Sequence, residues 1–102
     1  MSPLWGQEAT FWRRSVDGWE RHVARGCRVE AASSSSTAAV GPDASPTLAV
    51  YIPGEAPFAE PGGYCMAGER GGDEPPAGAL RVGTVRPYTL GGLPHHVEVV
   101  CP

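Results

Sequence analysis

Three cysteines (Cys27, Cys65, Cys101) and three histidines (His22, His95, His96) are the residues of this 102-residue chain best equipped for chemistry. Together, Cys and His could ligate zinc or form a nucleophile and base. Their spacing argues for neither. Structural zinc sites draw close Cys or His pairs from tight turns, and there is no Cys-x-x-Cys here. His95 and His96 are adjacent, and on a strand neighbouring side chains diverge. Any cysteine could meet any histidine in a fold, which singles out no couple. Asp73 and Glu74 stand in the most loop-like segment, where solvation leaves them ordinary acids, whereas acid-base catalysis needs a desolvated pocket. Gly62-Gly63, Gly71-Gly72 and Gly91-Gly92 lead into no amphipathic helix and no Lys, so they read as turns and not as phosphate cradles. These residues nominate no catalytic group, no metal and no cofactor, and the chain reads as a non-enzymatic structural or interaction protein.

The elements that would position them are short strands. Fourteen Gly and 11 Pro disfavour a helical bundle, while 41% hydrophobic residues with three Trp are too many for a wholly disordered chain. From Thr10 to Ala31, two extended arms flank Val16-Asp17-Gly18, and Asp-Gly is a strong hairpin signal because both central positions of the favoured turn want positive φ. In the second arm Trp19, Arg21, Val23, Arg25, Cys27 and Val29 share one parity; a helical reading from Val16 to Ala24 stays open. Leu48, Val50 and Ile52 alternate with Thr47, Ala49 and Tyr51 in the clearest strand, which ends at Pro53-Gly54. Phe58 reads as an anchor between Pro57 and Pro61, and Tyr64 to Ala67 as a short strand. Leu80 to Val85 form another strand, which Pro87 ends, with Gly83 as a bulge candidate. Tyr88 to Pro94 read as a turn region, and Val97, Val99 and Cys101 share one face of the last strand.

This makes one all-β domain, residues 1–102, a small antiparallel barrel or sandwich of about five or six short strands with long Gly/Pro/Ser-rich loops. Its parts are an N-terminal hairpin (8–32), a mobile loop (33–46) containing Ser33 to Ser36, central strands (47–68), an exposed loop (69–79) and a C-terminal hairpin (80–102). The formal charge is −3 and every basic residue is Arg. Arg13, Arg14, Arg21, Arg25 and Arg28 cluster in the first third, which permits a basic patch, although a solvated strand face explains them more simply. No secretory signal and no apolar run of about 18 residues is visible, so a soluble protein made in the cytosol with reduced, buried thiols is expected.

The order of features carries a resemblance. Trp5 in a short lead, then Ala9-Thr10-Phe11-Trp12-Arg13-Arg14, a turn, Trp19 with Arg21, and Gly26-Cys27-Arg28-Val29 resemble the opening of the small minor capsid or head-tail joining (connector) proteins of tailed phages and prophages. Ile52-Pro53, the Gly-led strand at Gly62 to Gly68 and the closing pair at Leu80 to Val85 and His95 to Val100 follow in the same order. The chain is shorter than typical members, the missing length falling at Glu69 to Gly78. The resemblance implies a β-barrel subunit of a homo-oligomeric ring at the virion neck, between portal or adaptor and tail-completion proteins. It also implies DNA close by without tight binding, no membrane, and assembly in the bacterial host cytoplasm. The interaction or core candidates are Trp5, Trp12, Arg13, Arg14, Trp19, Arg21 and Arg25. The alternative is a soluble β-barrel module holding nucleic acid through the Arg-rich hairpin with Trp5, Trp12 or Tyr51.

Overall fold

The computed structural model describes residues 6–32 and 47–102; Trp5 and the loop expected at 33–46 lie outside them. Among the described residues the regular elements are seven strands: β1 (Gln7–Ser15), β2 (Gly18–Ala32), β3 (Thr47–Pro53), β4 (Tyr64–Ala67), β5 (Leu80–Arg81), β6 (Thr84–Leu90) and β7 (Leu93–Cys101). They pair antiparallel in one curled sheet of order β5-β4-β1-β2-β3-β7-β6, a half-barrel, so the chain is all-β.

The curl follows from connectivity. Strands β5 and β6 occupy opposite edges of the sheet, yet only Val82 and Gly83 separate them in sequence. At that corner the edges must therefore meet. Val82 N donates to the Gly63 carbonyl (2.8 Å), Gly62 N to the Val82 carbonyl (3.0 Å) and Gly83 N to the Val100 carbonyl (2.9 Å). Val82 itself is buried. This crossover splits the run read as one strand from Leu80 to Val85, which is why there are seven strands and not five or six. Gly83 sits at the crossover, beside Pro102. Pro87 does not end β6, because an edge strand has one side on which no ladder donor is needed.

The 15-residue β2 belongs to both halves, pairing with β1 through its first part and with β3 from Arg28 onward. The switch occurs at an irregularity: Ala9 opposes Ala24, but Gln7 opposes Cys27. Gly26 lies inside it with φ 70°, a conformation Gly adopts freely. The extra residue exchanges the faces. Before it, the even-numbered Ala24 points into the core; after it, Cys27 does. The single parity read from Trp19 to Val29 is therefore two half-runs of opposite sense. Val29 N donates to Gln7 Oε1 (2.9 Å) across the same bend.

The β1–β2 connection is a hairpin, with Ser15 opposite Gly18, and the helical reading falls. Its turn departs from the expected chemistry: Gly18 takes positive φ (131°), whereas no described non-glycine residue does, Asp17 included. The geometry with two positive central φ values is found instead at Gly91-Gly92 (64° and 83°), between the paired Leu90 and Leu93. The turn region read from Tyr88 to Pro94 contracts to those two glycines.

The core is made of small side chains. Ala9, Phe11, Ala24, Cys27, Leu48, Val50, Ile52, Cys65, Val82, Val97, Val99 and Cys101 fill the curl, and Ala56 and Ala59 cap it from the segment after β3. Leu48, Val50 and Ile52 face it as their alternation requires. Phe58 packs against the cluster, its ring centroid 5.3 Å from that of Phe11 and 3.9 Å from the His22 ring.

Candidate functional site

Cys27, Cys65 and Cys101 are all buried and free. Burial, with the Glu8 carboxylate adding to it, pushes the Cys27 thiol up to about 11. The hydrogen bond to Cys101 comes first, and burial second, in holding the Cys65 thiol protonated far above its ordinary range. In that state Cys27 and Cys65 are packing groups and weak nucleophiles, whereas the hydrogen bond with Cys65 lowers the Cys101 thiol against its burial. The two adjacent histidines depart from expectation: their Nδ1 atoms approach to 2.9 Å instead of diverging. The register irregularity between Tyr88 and Thr89 lies opposite them, which distorts the ideal alternation. Among the described residues there is no group of three or more His, Cys, Asp and Glu that could hold a metal ion.

The Arg- and Trp-rich hairpin is covered and internally paired. Trp12 is 1% exposed, so no face of its ring is open for a base to stack on. It points away from the main core and is covered by the segment after β4: its Nε1 donates to the Gly72 carbonyl (3.1 Å). Beside it, Thr10 Oγ1 donates to the Gly68 carbonyl (2.7 Å) and accepts from Arg70 N (2.8 Å). Arg21 reaches the Arg70 carbonyl (3.1 Å). Residues Glu69 to Glu74 are solvent-exposed, yet the backbone of this segment forms a lid over the hairpin.

The arginines are spoken for. Arg13 pairs with Glu20 (2.6 Å) and donates to the Pro57 carbonyl (3.0 Å), and Arg25 bridges Glu8 (2.7 Å) and Glu69 (3.3 Å). Hydrogen bonding to Glu20 and to Glu69, respectively, raises these guanidinium pKa values further. Arg28 pairs with Glu30. Arg14 lies over the half-buried Trp19 ring (5.0 Å), whose edge meets Tyr64 (5.7 Å). Carboxylates neutralise much of the charge that phosphate would need, and the basic cluster of the sequence is dispersed into local pairs.

The other hairpin is built differently. On β6 the side chains from Arg86 to Leu90 are exposed, and on β7 those from Leu93 to His95. Among the described residues the exposed large hydrophobics are Val16, Tyr88, Leu90 and Leu93, three of them here. Tyr88 stacks on His96 (4.7 Å, 5° between planes) and its hydroxyl donates to Glu98 (3.1 Å). That fixes one wall of an open groove, about 430 Å³, whose other wall is Gly54 to Pro57. Neither Leu90 nor Leu93 was singled out from sequence; both fell inside a run read as turn, although apolar residues flanking Gly-Gly were the available signal.

Comparison with protein-family models, with curated proteins and with solved structures finds no match.

Proposed function

We propose that this chain is a structural subunit of a multisubunit assembly, and that the assembly is the head-tail connector of a tailed phage or prophage. The observation that supports an assembly role is the contrast in surface. Arg13, Arg25 and Arg28 over β1 and β2 are paired with carboxylates, while a hairpin whose uncharged outer half ends in Leu90 and Leu93 stands in solvent. Isolated exposed apolar residues are ordinary, but a contiguous set on one projecting element marks an interaction surface. The phage setting rests on the order of sequence features alone.

In this reading the half-barrel is a small, pre-formed block, and its work is contact with neighbours on the portal and tail sides. The pairing of Arg13, Arg25 and Arg28 with carboxylates suits a conduit that must let DNA pass, because tight phosphate binding needs unpaired cationic side chains. The test is to induce the encoding strain, purify tailed particles on a density gradient and quantify the chain by mass spectrometry against the major capsid protein. A fixed ratio of several copies per particle is expected. Absence from intact particles, with the chain present in the lysate, rejects the connector.

A further inference from the structure

The β6–β7 hairpin carries an apolar knob at its tip and an apolar groove at its base. Leu90 and Leu93 are cross-strand partners, so their side chains stand together, and they are 69% and 70% exposed. The two-residue Gly91-Gly92 turn has the φ values that match strand twist, which presents the pair on a tight end and not on a slack loop. At the base, Val85, Pro87, Tyr88 and Val97 face Ala56 and Pro57 across the groove. The run from Pro87 to Pro94 contains no formally charged residue, and Glu55 is the charged member of the groove lining.

The knob and one wall of the groove belong to the same paired hairpin, so the tip of a chain does not fold back into its own groove. The geometry points to head-to-tail self-association, in which the Leu90/Leu93 knob of one copy seats in the groove of the next. The two surfaces differ, so the contact is heterologous and propagates around a ring or along a filament. An uncharged knob enters a groove whose charged lining residue, Glu55, is solvent-exposed, so the knob brings no ion that must be stripped of water. A bilayer is a poorer occupant: apolar tips that hold membranes combine with Lys or Arg, and neither follows Arg86 in the chain. Two leucines bury far less than the roughly 1,200 Å² of a standard stable interface, so a single contact is weak, and closure, where every copy engages two neighbours, strengthens it. The contact supplies the assembly read above with its joint and rests on that reading for its setting.

The test uses the whole chain in sedimentation velocity up to about 1 mM, the weak end of specific association. One variant loses the knob (Leu90→Ser with Leu93→Ser); another blocks the groove (Pro57→Arg, with Thr89→Arg as a second blocker). Far-UV circular dichroism and thermal unfolding establish that those used are folded. The expected result is mass rising with concentration for the native chain and monomers for each variant. An equal mixture of the two variants should restore association, as dimers and nothing larger, because one retains the knob and the other the groove. A native chain monomeric throughout, variants that still associate, or a mixture that stays monomeric overturns the proposal; association of the groove-blocked variant alone would mark a knob-to-knob contact. If the native chain associates as described but is missing from virions, the connector reading fails and the contact stands. If virions contain the chain and incorporate the knobless variant undiminished, the contact fails and the connector reading stands.

Discussion

The two terminal hairpins of this fold share a local design and meet opposite fates. Both β1–β2 and β6–β7 are antiparallel, with two-residue connections at Val16-Asp17 and Gly91-Gly92. In the first, one face (Ala9, Phe11, Ala24) lines the core and the other (Thr10, Trp12) is sealed by the backbone from Gly68 to Gly72. In the second, β6 is a sheet edge whose outer part and turn have solvent on both sides. A hairpin is held by what covers it: strand pairing alone is marginal in water. The consequence is a division of labour, with stability concentrated around β1–β2 and contact surface left free on β6–β7.

The largest expected effect is on the covered hairpin. Trp12→Ala removes a buried indole and its hydrogen bond to Gly72, and should cost about 3–5 kcal/mol in denaturant unfolding. Trp19→Ala should cost less, about 1–2 kcal/mol, because that ring is half-buried and packs edge-on to Tyr64. Equal losses would mean that the lid contributes nothing beyond ordinary surface packing. Gly63→Ala should cost about 1–3 kcal/mol, since its Cβ would stand 2.6 Å from the Trp12 carbonyl oxygen, a backbone atom locked between β1 and β4.

The lid can be loosened without emptying the space beneath it. Thr10→Val keeps the shape but removes the hydroxyl that joins Gly68 and Arg70, leaving Arg70 N without that partner. The expected cost is about 1–3 kcal/mol, with faster limited proteolysis between Gly68 and Gly78. Between the two hairpins, the thiols give a pH test. Cys27 is raised from 9.0 to about 11, so the folded state holds its proton more tightly than the unfolded one. Stability from this group is complete below pH 9 and is lost as pH rises through about 11. Cys27→Ala should flatten that decline in unfolding midpoints measured from about pH 8 to 11.

How much of this could be read in the residues depends on whether a face was buried regularly. Leu48, Val50 and Ile52, and Val97, Val99 and Cys101, alternate cleanly because each strand has one face in the core, and period two then shows directly. β2 was legible as strand but not in its facing, because one glycine, Gly26, inverts the parity midway and glycine carries no hydropathy to announce it. The lid on Trp12 uses backbone carbonyls of Gly68 and Gly72, which no side-chain pattern encodes across about sixty positions. The Arg cluster was visible and its neutralisation only in part: Glu8, Glu20 and Glu30 lie in the same hairpin, but Glu60 and Glu69 come from distant segments and meet Arg13 and Arg25 only in the fold.

The smallest expected effect on stability is at the uncovered hairpin, and it is the sharpest test of the contrast. Leu90→Ser with Leu93→Ser exchanges two large apolar side chains, which in the β1–β2 hairpin would be ruinous. Here both are about two-thirds exposed, no described residue covers the tip, and the Gly91-Gly92 turn needs only its own backbone to form. The unfolding free energy, measured at concentrations where the native chain is monomeric, should change by no more than about 0.5 kcal/mol. A loss of several times that would mean that the leucines are held by contacts within their own chain, and the difference between the hairpins would then be one of degree. A null effect, set against the cost of Trp12→Ala, would show that apolar area at Leu90 and Leu93 is retained at a place where folding does not use it.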